Sequence, residues 1–191
     1  MFDLENKNIL ITGVANKKSI AFYTAKTLES LGANLIFSVQ DSKVIPFLEK
    51  HFEKDILTYI CDVSDQTQIQ SMAHSLREKE MILHGLVHSI AFANFSGGIK
   101  PFHETNKKDF WQACDISCFS VVSLSQALKD QFDEDASVVA LGISNTQATS
   151  YGFLGPIKAA LESSMGYLAK SFSAFSRVRF NAVAPSLLKT S

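Results

Sequence analysis

Six short apolar runs alternate along the chain with five segments of helical period, and no other feature constrains the fold as much. The runs at 8–13, 34–40, 56–61, 85–90, 137–142 and 177–183 are rich in β-branched residues and read as buried strands. Between them, 19–32, 42–53, 65–79, 107–131 and 152–175 read as helices. In 19–32, for instance, Ile20, Ala21, Tyr23, Ala25, Leu28 and Leu31 follow a helical period and Gly32 supplies the C-terminal stop. Parallel strands need crossover connections, so the alternation predicts an α/β domain, a doubly wound parallel sheet with helices on both faces. Internal repeats, low-complexity tracts and linkers are absent, and 191 residues suit one such domain. Ser96-Gly97-Gly98 reads as a loop after the fourth strand.

Composition narrows the functional classes. Eighteen basic residues against 19 acidic ones leave a formal net charge of −1 with no basic field, so no nucleic-acid partner is expected. Cys61, Cys114 and Cys118 cannot pair completely, and no second ligand pair stands near Cys114 and Cys118 to complete a zinc site. His51, His74, His84 and His103 show no ligand spacing either, so no metal is expected. No apolar run approaches the ~18 residues of a membrane span, and the first eight residues lack an export signal's charged start and apolar core. A soluble, cytoplasmic protein in a reducing compartment is the expectation. The 15 phenylalanines are expected mainly in the core and at helix-packing surfaces.

Ligands of such sheets bind beyond the carboxyl ends of the strands, which directs attention to 13–20, 40–41, 62–63, 89–95, 142–151 and 184–190. The loop from Gly13 to Ser19 joins the first strand to the first helix, where N-terminal amides and the helix dipole favour a pyrophosphate. Gly13 is its only glycine, so neither a G-x-G-x-x-G fingerprint nor a P-loop is present. A plain turn with Ser19 as N-cap is the alternative. Gln40 stands where an acidic residue usually takes the adenosine ribose hydroxyls, and its amide can donate and accept. No arginine is adjacent to clamp a 2′-phosphate, which favours NADH over NADPH, although Lys43 lies close. Asp62 and Val63 can meet an adenine through carboxylate and amide, and a turn or N-cap role for Asp62 is the alternative. His88-Ser89-Ile90-Ala91-Phe92-Ala93 closes the fourth strand with small residues against which a flat ring can lie. His88 itself is expected to be structural, with no carboxylate or second histidine nearby to make it a base. Tyr151 and Lys158 are seven positions apart, which on a helix is about 700° and about 10 Å, one face two turns apart. Lys158 would then act through a bound ribose or by its field, easing Tyr151 toward phenolate as a partner for a developing oxyanion. A surface lysine and an interfacial tyrosine would show the same spacing.

Together, Gly13-x5-Ser19-Ile20-Ala21, Gln40, Asp62-Val63, the 88–93 segment, Asp115-Ile116-Ser117, Tyr151-x6-Lys158 and Lys158-Ala159-Ala160-Leu161-Glu162 closely resemble the enoyl-acyl-carrier-protein reductases. That family is a branch of the short-chain dehydrogenase/reductases, and the resemblance runs from Lys7 to Thr190. It implies a Rossmann-like fold and reduction of the carbon-carbon double bond of a trans-2-enoyl thioester in fatty acid biosynthesis. The implied substrate carrier is acyl-carrier-protein or CoA, and the implied cofactor is NADH, with NADPH left open. By resemblance Gly13, Ser19 and Ile20 hold the pyrophosphate, Gln40 the adenosine ribose, and Asp62 and Val63 the adenine. Ser89, Ile90 and Ala91 line the nicotinamide end, Ala93 touches substrate, and Lys158 bonds the nicotinamide ribose. Leu188 and Thr190 contact the carboxamide and pyrophosphate side. Hydride goes to the β-carbon, and Tyr151 stabilises the enolate before the α-carbon is protonated. Helices 107–131 and 152–175, with Phe110, Trp111, Phe119, Phe153, Met165 and Phe172 on more than one face, pair across subunits in this family, which implies a homodimer or homotetramer.

Two departures accompany the resemblance. The family's additional active-site tyrosine after the fifth strand is missing, and Ser144 is the candidate for its place, a hydrogen-bond donor without a phenol's reach or acidity. The chain ends at Ser191, where relatives continue with substrate-covering helices and a further strand. The expectation is a single dinucleotide-binding domain, 1–191, without that C-terminal segment and with a less shielded acyl site. Two other readings stand beside the leading one: a diverged short-chain dehydrogenase/reductase acting on another carbonyl or enone, suggested by the altered 141–147 loop, and an NAD(P)-binding protein without catalysis.

Overall fold

In the computed structural model, which describes residues 3–52, 56–143 and 151–185, strands β1 (Asn8–Thr12), β2 (Asn34–Val39), β3 (Leu57–Ile60), β4 (Leu83–His88), β5 (Phe132–Leu141) and β6 (Arg179–Val183) form one sheet. Their order is β3-β2-β1-β4-β5-β6 and every pairing is parallel. The chain winds outward from β1 to β3, returns to β4 on the other side of β1, and winds outward again. The expected doubly wound sheet is therefore present, with its reversal of direction between β1 and β4.

Alternate residues of the central strands enter two separate cores, which is why those strands read as apolar runs. Ile9, Ile11, Phe37 and Val39 pack against Phe22 and Ala25 of α1 (Ile20–Ser30) and Leu48 of α2 (Ile45–His51). Leu10, Ile36, Leu86, Val138 and Ala140 face the larger core, with α3 (Gln66–Glu78), α5 (Ser120–Ala127) and α6 (Leu154–Phe172). Many phenylalanines follow the expectation: Phe22, Phe37, Phe47 and Phe52 interlock on the first face and Phe132, Phe172 and Phe180 on the second. Phe92, Phe102, Phe119 and Phe175 do not, and stand exposed.

Several boundaries differ from the sequence expectation. The helix expected over 107–131 is α4 (Lys107–Cys114) and α5 joined by one π-turn, Asp115–Phe119, closed by a bond from Ser120 N to Asp115 O. β5 begins at Phe132, not at 137, because its acidic start is held by the next strand's approach. Arg177 grips Asp135 with Nε and Nη2 at 2.7 and 2.8 Å, and Glu134 with Nη1 at 2.7 Å. The helix expected from 42 opens as a 3-10 turn, Ser42–Val44, with α2 proper starting at Ile45 and Pro46 in its first turn. β4 ends at His88, so Ser89 and Ile90 lie beyond the strand. Among the described residues no helix is long and apolar enough to cross a membrane. Ser144, Leu188 and Thr190 lie outside the described residues.

Candidate active site

The switch point closes tightly around Gly13. Thr12 Oγ1 donates to Val87 O at 3.1 Å, binding the ends of β1 and β4 together. Gly13 follows with φ +83°, and a side chain there would overlap the Ser89 carbonyl. Only glycine meets both conditions. Ser19 occupies the N-cap position of α1, but its hydroxyl donates to Asn16 O at 2.7 Å and caps no amide. The first turn of α1 carries no carboxylate; the Phe22 amide donates to Ser19 O at 3.1 Å, which leaves the Ile20 and Ala21 amides and the helix's positive end for an anion.

A cleft of about 330 Å³ crosses the carboxyl ends of β1 to β4. Of the residues singled out by sequence, Gly13, Gln40, Asp62, Val63, Ser89, Ile90 and Ala91 line it, whereas Ser19, Ile20, Ala93, Tyr151 and Lys158 do not, Lys158 reaching it only through its bond to Ile90 O. Gln40 Nε2 donates to Asp62 Oδ2 at 3.1 Å, and Asp62 Oδ1 accepts from the Ser64 amide at 2.9 Å and hydroxyl at 2.7 Å. Burial pushes the Asp62 carboxyl up, but the bonds from Ser64 and Gln40 outweigh it and hold it below its ordinary value. Asp62 is thus both a turn residue and a wall of the cleft. Asp41, in the same wall, accepts from the Lys43 amide at 2.7 Å and faces Lys43 Nζ at 3.7 Å. The Lys43 charge is therefore already opposed by a carboxylate. Cys61 also lines the cleft, its thiol pushed up to about 11 by burial and so neutral.

Lys158 is no surface lysine. It is 4% exposed, and its Nζ donates to Ile90 O at 2.9 Å and Leu141 O at 2.8 Å, tying the exits of β4 and β5 together. Burial pushes it down to about 8, partly opposed by Cys118 and Glu162. An ammonium has three protons, so one donor remains after the two carbonyls are served. Tyr151 is 37% exposed and lies outside α6, separated from it by Gly152 at φ +57°. The helical-phase argument for the pair consequently fails, since the chain is left-handed between them. The turn that follows Tyr151 is packed from one side: Phe95 lies on Phe153 with ring centroids 5.0 Å apart, and its edge lies beside Gly152.

His88 plays the structural part expected of it. Fully buried, it is pushed down to about 3 by desolvation and next by the Lys158 charge, and its Nε2 meets Ser120 Oγ at 2.7 Å. Sequence reasoning quoted Glu162 in a motif but gave it no role; its Oε1 accepts from Ile143 N at 2.9 Å and fills the space a side chain at Gly142 would need. A glycine directly after a strand, with a glutamate one helical turn beyond Lys158, was the available signal. It also gave no role to Ser117, whose hydroxyl meets the Phe92 main chain.

Known proteins resemble this chain over nearly its whole length. A family model described as enoyl-(acyl carrier protein) reductase matches residues 13–191. The enoyl-acyl-carrier-protein reductase (NADH) FabI of Enterococcus faecalis is 32% identical over 192 residues, covering 98% of this chain and 75% of that protein. The FabI of Staphylococcus aureus, named for NADPH, is 33% identical over 196 residues, covering 100% of this chain and 76% of that protein. Among solved structures, the enoyl-acyl carrier protein reductase of Bacillus cereus, with NADP+ and indole naphthyridinone, superposes with a TM-score of 0.92 at 28% identity, over 100% of this chain and 76% of that one. The NADH enzyme of Aquifex aeolicus gives a TM-score of 0.90 at 33% identity, over 98% of this chain and 75% of that one.

Proposed function

The chain belongs to the enoyl-(acyl carrier protein) reductase family, and on that premise we propose that the cleft over β1 to β4 holds the dinucleotide and that Tyr151 and Lys158 work at its nicotinamide end. The protein is an oxidoreductase of fatty acid biosynthesis that reduces the double bond of a trans-2-enoyl thioester on acyl-carrier-protein with NADH or NADPH. The observation that carries the site assignment is the buried Lys158 ammonium, bonded to Ile90 O at the cleft wall with one proton still to give.

The cleft suits the cofactor at each end. Gly13 keeps β1's exit free of a side chain, and the N-terminus of α1, with Ser19 and Ile20 just outside the cleft lining, would hold the pyrophosphate. Gln40 takes the adenosine ribose, and Asp62 and Val63 the adenine. Asp41 and Asp62 put two carboxylates at this end, which supports NADH over a 2′-phosphorylated cofactor. Ser89, Ile90 and Ala91 floor the nicotinamide end, and Ala93 meets the substrate beyond it. When bound, the cofactor supplies the hydride that goes to the β-carbon of the enoyl thioester. Tyr151 donates a hydrogen bond to the thioester oxygen as negative charge develops there, and the enolate is then protonated at its α-carbon. Lys158 holds the nicotinamide ribose with its remaining proton and adds a positive field to the same region. Ser144, Leu188 and Thr190 enter this assignment by family resemblance alone.

We further propose a homodimer or homotetramer, supported by the exposed Trp111, Phe119 and Tyr167 on α4, the π-turn and α6. The free thiols Cys61, Cys114 and Cys118 support a reducing cytoplasm as the place of action. The described residues are read as one dinucleotide-binding domain. A crotonyl-thioester assay following NADH oxidation tests the chemistry: Tyr151→Phe should lose turnover by about 10²-fold or more and keep its NADH affinity. Wild-type turnover in that variant would overturn the assignment of Tyr151.

A further inference from the structure

Residues 89–92 all line the cleft, yet they belong to no helix or strand. Their main-chain anchors are few. Among the described residues, Ile90 O accepts from Lys158, Ser89 N reaches Thr12 Oγ1 only at 3.4 Å, and Phe92 is held through both of its polar groups by Ser117. Ser117 Oγ accepts from Phe92 N at 2.7 Å and donates to Phe92 O at 2.8 Å. A hydroxyl can serve one donor and one acceptor at once, so a single side chain replaces a ladder partner for the whole residue.

Ser117 is in place because of the π-turn. π-turns are rare and recur at functional sites, and this one is braced from the strand side. Ser120 Oγ donates to Ile116 O at 2.6 Å, so it accepts from His88 Nε2 at 2.7 Å. A serine has one proton to give, which fixes His88 as the Nε2-protonated tautomer. Strand end, π-turn and cleft floor are thus one hydrogen-bonded unit: His88 to Ser120, Ser120 to Ile116, Ser117 to Phe92.

We infer that Ser117 is a positioning residue for the reduction, fixing the 89–92 segment through its two bonds to Phe92 and so setting the height of the floor against which hydride donor and acceptor are aligned. Ser117 is fully buried and does not line the cleft, so it acts through Phe92 and not on the ligand. The inference rests on the nicotinamide lying over 89–91, as proposed above.

The test is Ser117→Ala in the full chain, with steady-state constants, NADH titration, thermal midpoint and the deuterium isotope effect on kcat from 4-deuterated NADH. Loosening the floor should lower kcat roughly ten-fold, because sub-ångström misplacement slows the chemical step more than it weakens binding. The isotope effect on kcat should rise and the NADH dissociation constant change by less than about three-fold. Ser117→Thr, which keeps the hydroxyl, should recover most of the lost kcat. A purely structural serine would lower the thermal midpoint and leave kcat per active site and the isotope effect at wild-type values, and that result overturns the inference. Should the alanine variant fail to fold, Ser117→Cys keeps the volume with weaker bonds, and wild-type kcat and isotope effect there overturn it equally. The Tyr151→Phe assay separates the two readings: lost turnover there with unaffected Ser117 variants rejects only the positioning role, whereas full turnover there rejects the site assignment itself.

Discussion

Two titratable side chains are buried against the exit of β4, and the same desolvation acts on both with different consequences. His88 is pushed so far down that it stays neutral at any working pH. Lys158, pushed down to about 8 from an ordinary 10.5, changes charge within the range in which the enzyme can be assayed. Below about 8 the ammonium supplies both the third proton and the positive field; above it both weaken. NADH affinity and kcat/KM are therefore expected to fall as pH rises through about 8, well before a solvent-exposed lysine would titrate. Stability moves the other way. Between about 8 and 10.5 the unfolded chain binds a proton that the folded chain has lost, so this group's contribution to unfolding free energy rises with pH across that window. NADH titrations and urea midpoints at stepped pH read the two trends separately. Lys158→Arg, which keeps its charge, should flatten the limb of the affinity profile above pH 8 even where its absolute affinity is poorer. An unchanged limb in that variant would assign the titration to another group.

At the scale of elements, catalytic geometry depends on where strands and helices stop. Lys158 sits inside α6 and inherits that helix's rigidity, whereas Tyr151 precedes it on a turn whose shape is set by Gly152 at φ +57° and by the Phe95 ring beside it. Gly152→Ala forces an L-residue into the left-handed region at about 1–2 kcal/mol and presses on Phe95, 3.2 Å from the new Cβ. We expect a matching loss in urea stability and a several-fold lower kcat with NADH affinity retained. Gly152→Asn, which tolerates that conformation better, should recover part of both. A loss of NADH affinity as large as the loss of kcat would place the effect on the cleft, not on Tyr151. This turn also marks a limit of sequence reading. Spacing alone put Tyr151 and Lys158 on one helical face, because a glycine inside a helical pattern does not reveal that it is left-handed. The π-turn was equally hidden: 107–131 keeps a helical apolar pattern throughout, and the widening is signalled only by serines whose partners lie 25 and 32 positions away in sequence. The acidic start of β5 read as loop because Arg177, which neutralises it, is 42 residues distant. The central strands were legible, since burial on both faces makes most of their positions apolar, and so was the cleft wall, since strand ends fix where Gly13, Gln40, Asp62 and Ser89 must lie.

At the scale of the molecule, a cleft placed at the sheet's reversal of direction makes cofactor binding and folding one equilibrium. Its walls come from the exits of four strands, β1 to β4, and from α4 and the π-turn through Gln112 and Ile116. No part of that surface exists in the unfolded chain, so a ligand in it stabilises the fold by mass action alone. At a hundred times its dissociation constant, NADH should add about 2.7 kcal/mol. For a chain of 191 residues that corresponds to a rise of roughly 5–10 °C in thermal midpoint. On the proposed assignment NADPH would make the same contacts except at the adenosine end, where its 2′-phosphate would meet Asp41 and Asp62, both in the cleft wall, with the nearby Lys43 charge already 3.7 Å from Asp41. At equal concentration NADPH should therefore raise the midpoint less. Added salt should narrow the difference between the two cofactors, because exposed like-charge repulsion is screened. Asp41→Asn removes one of the two carboxylates and should bring the NADPH shift toward that of NADH. Equal shifts for both cofactors in the unmodified chain would mean that the two carboxylates do not face the 2′-position, and the orientation of the adenosine in the cleft would have to be reversed.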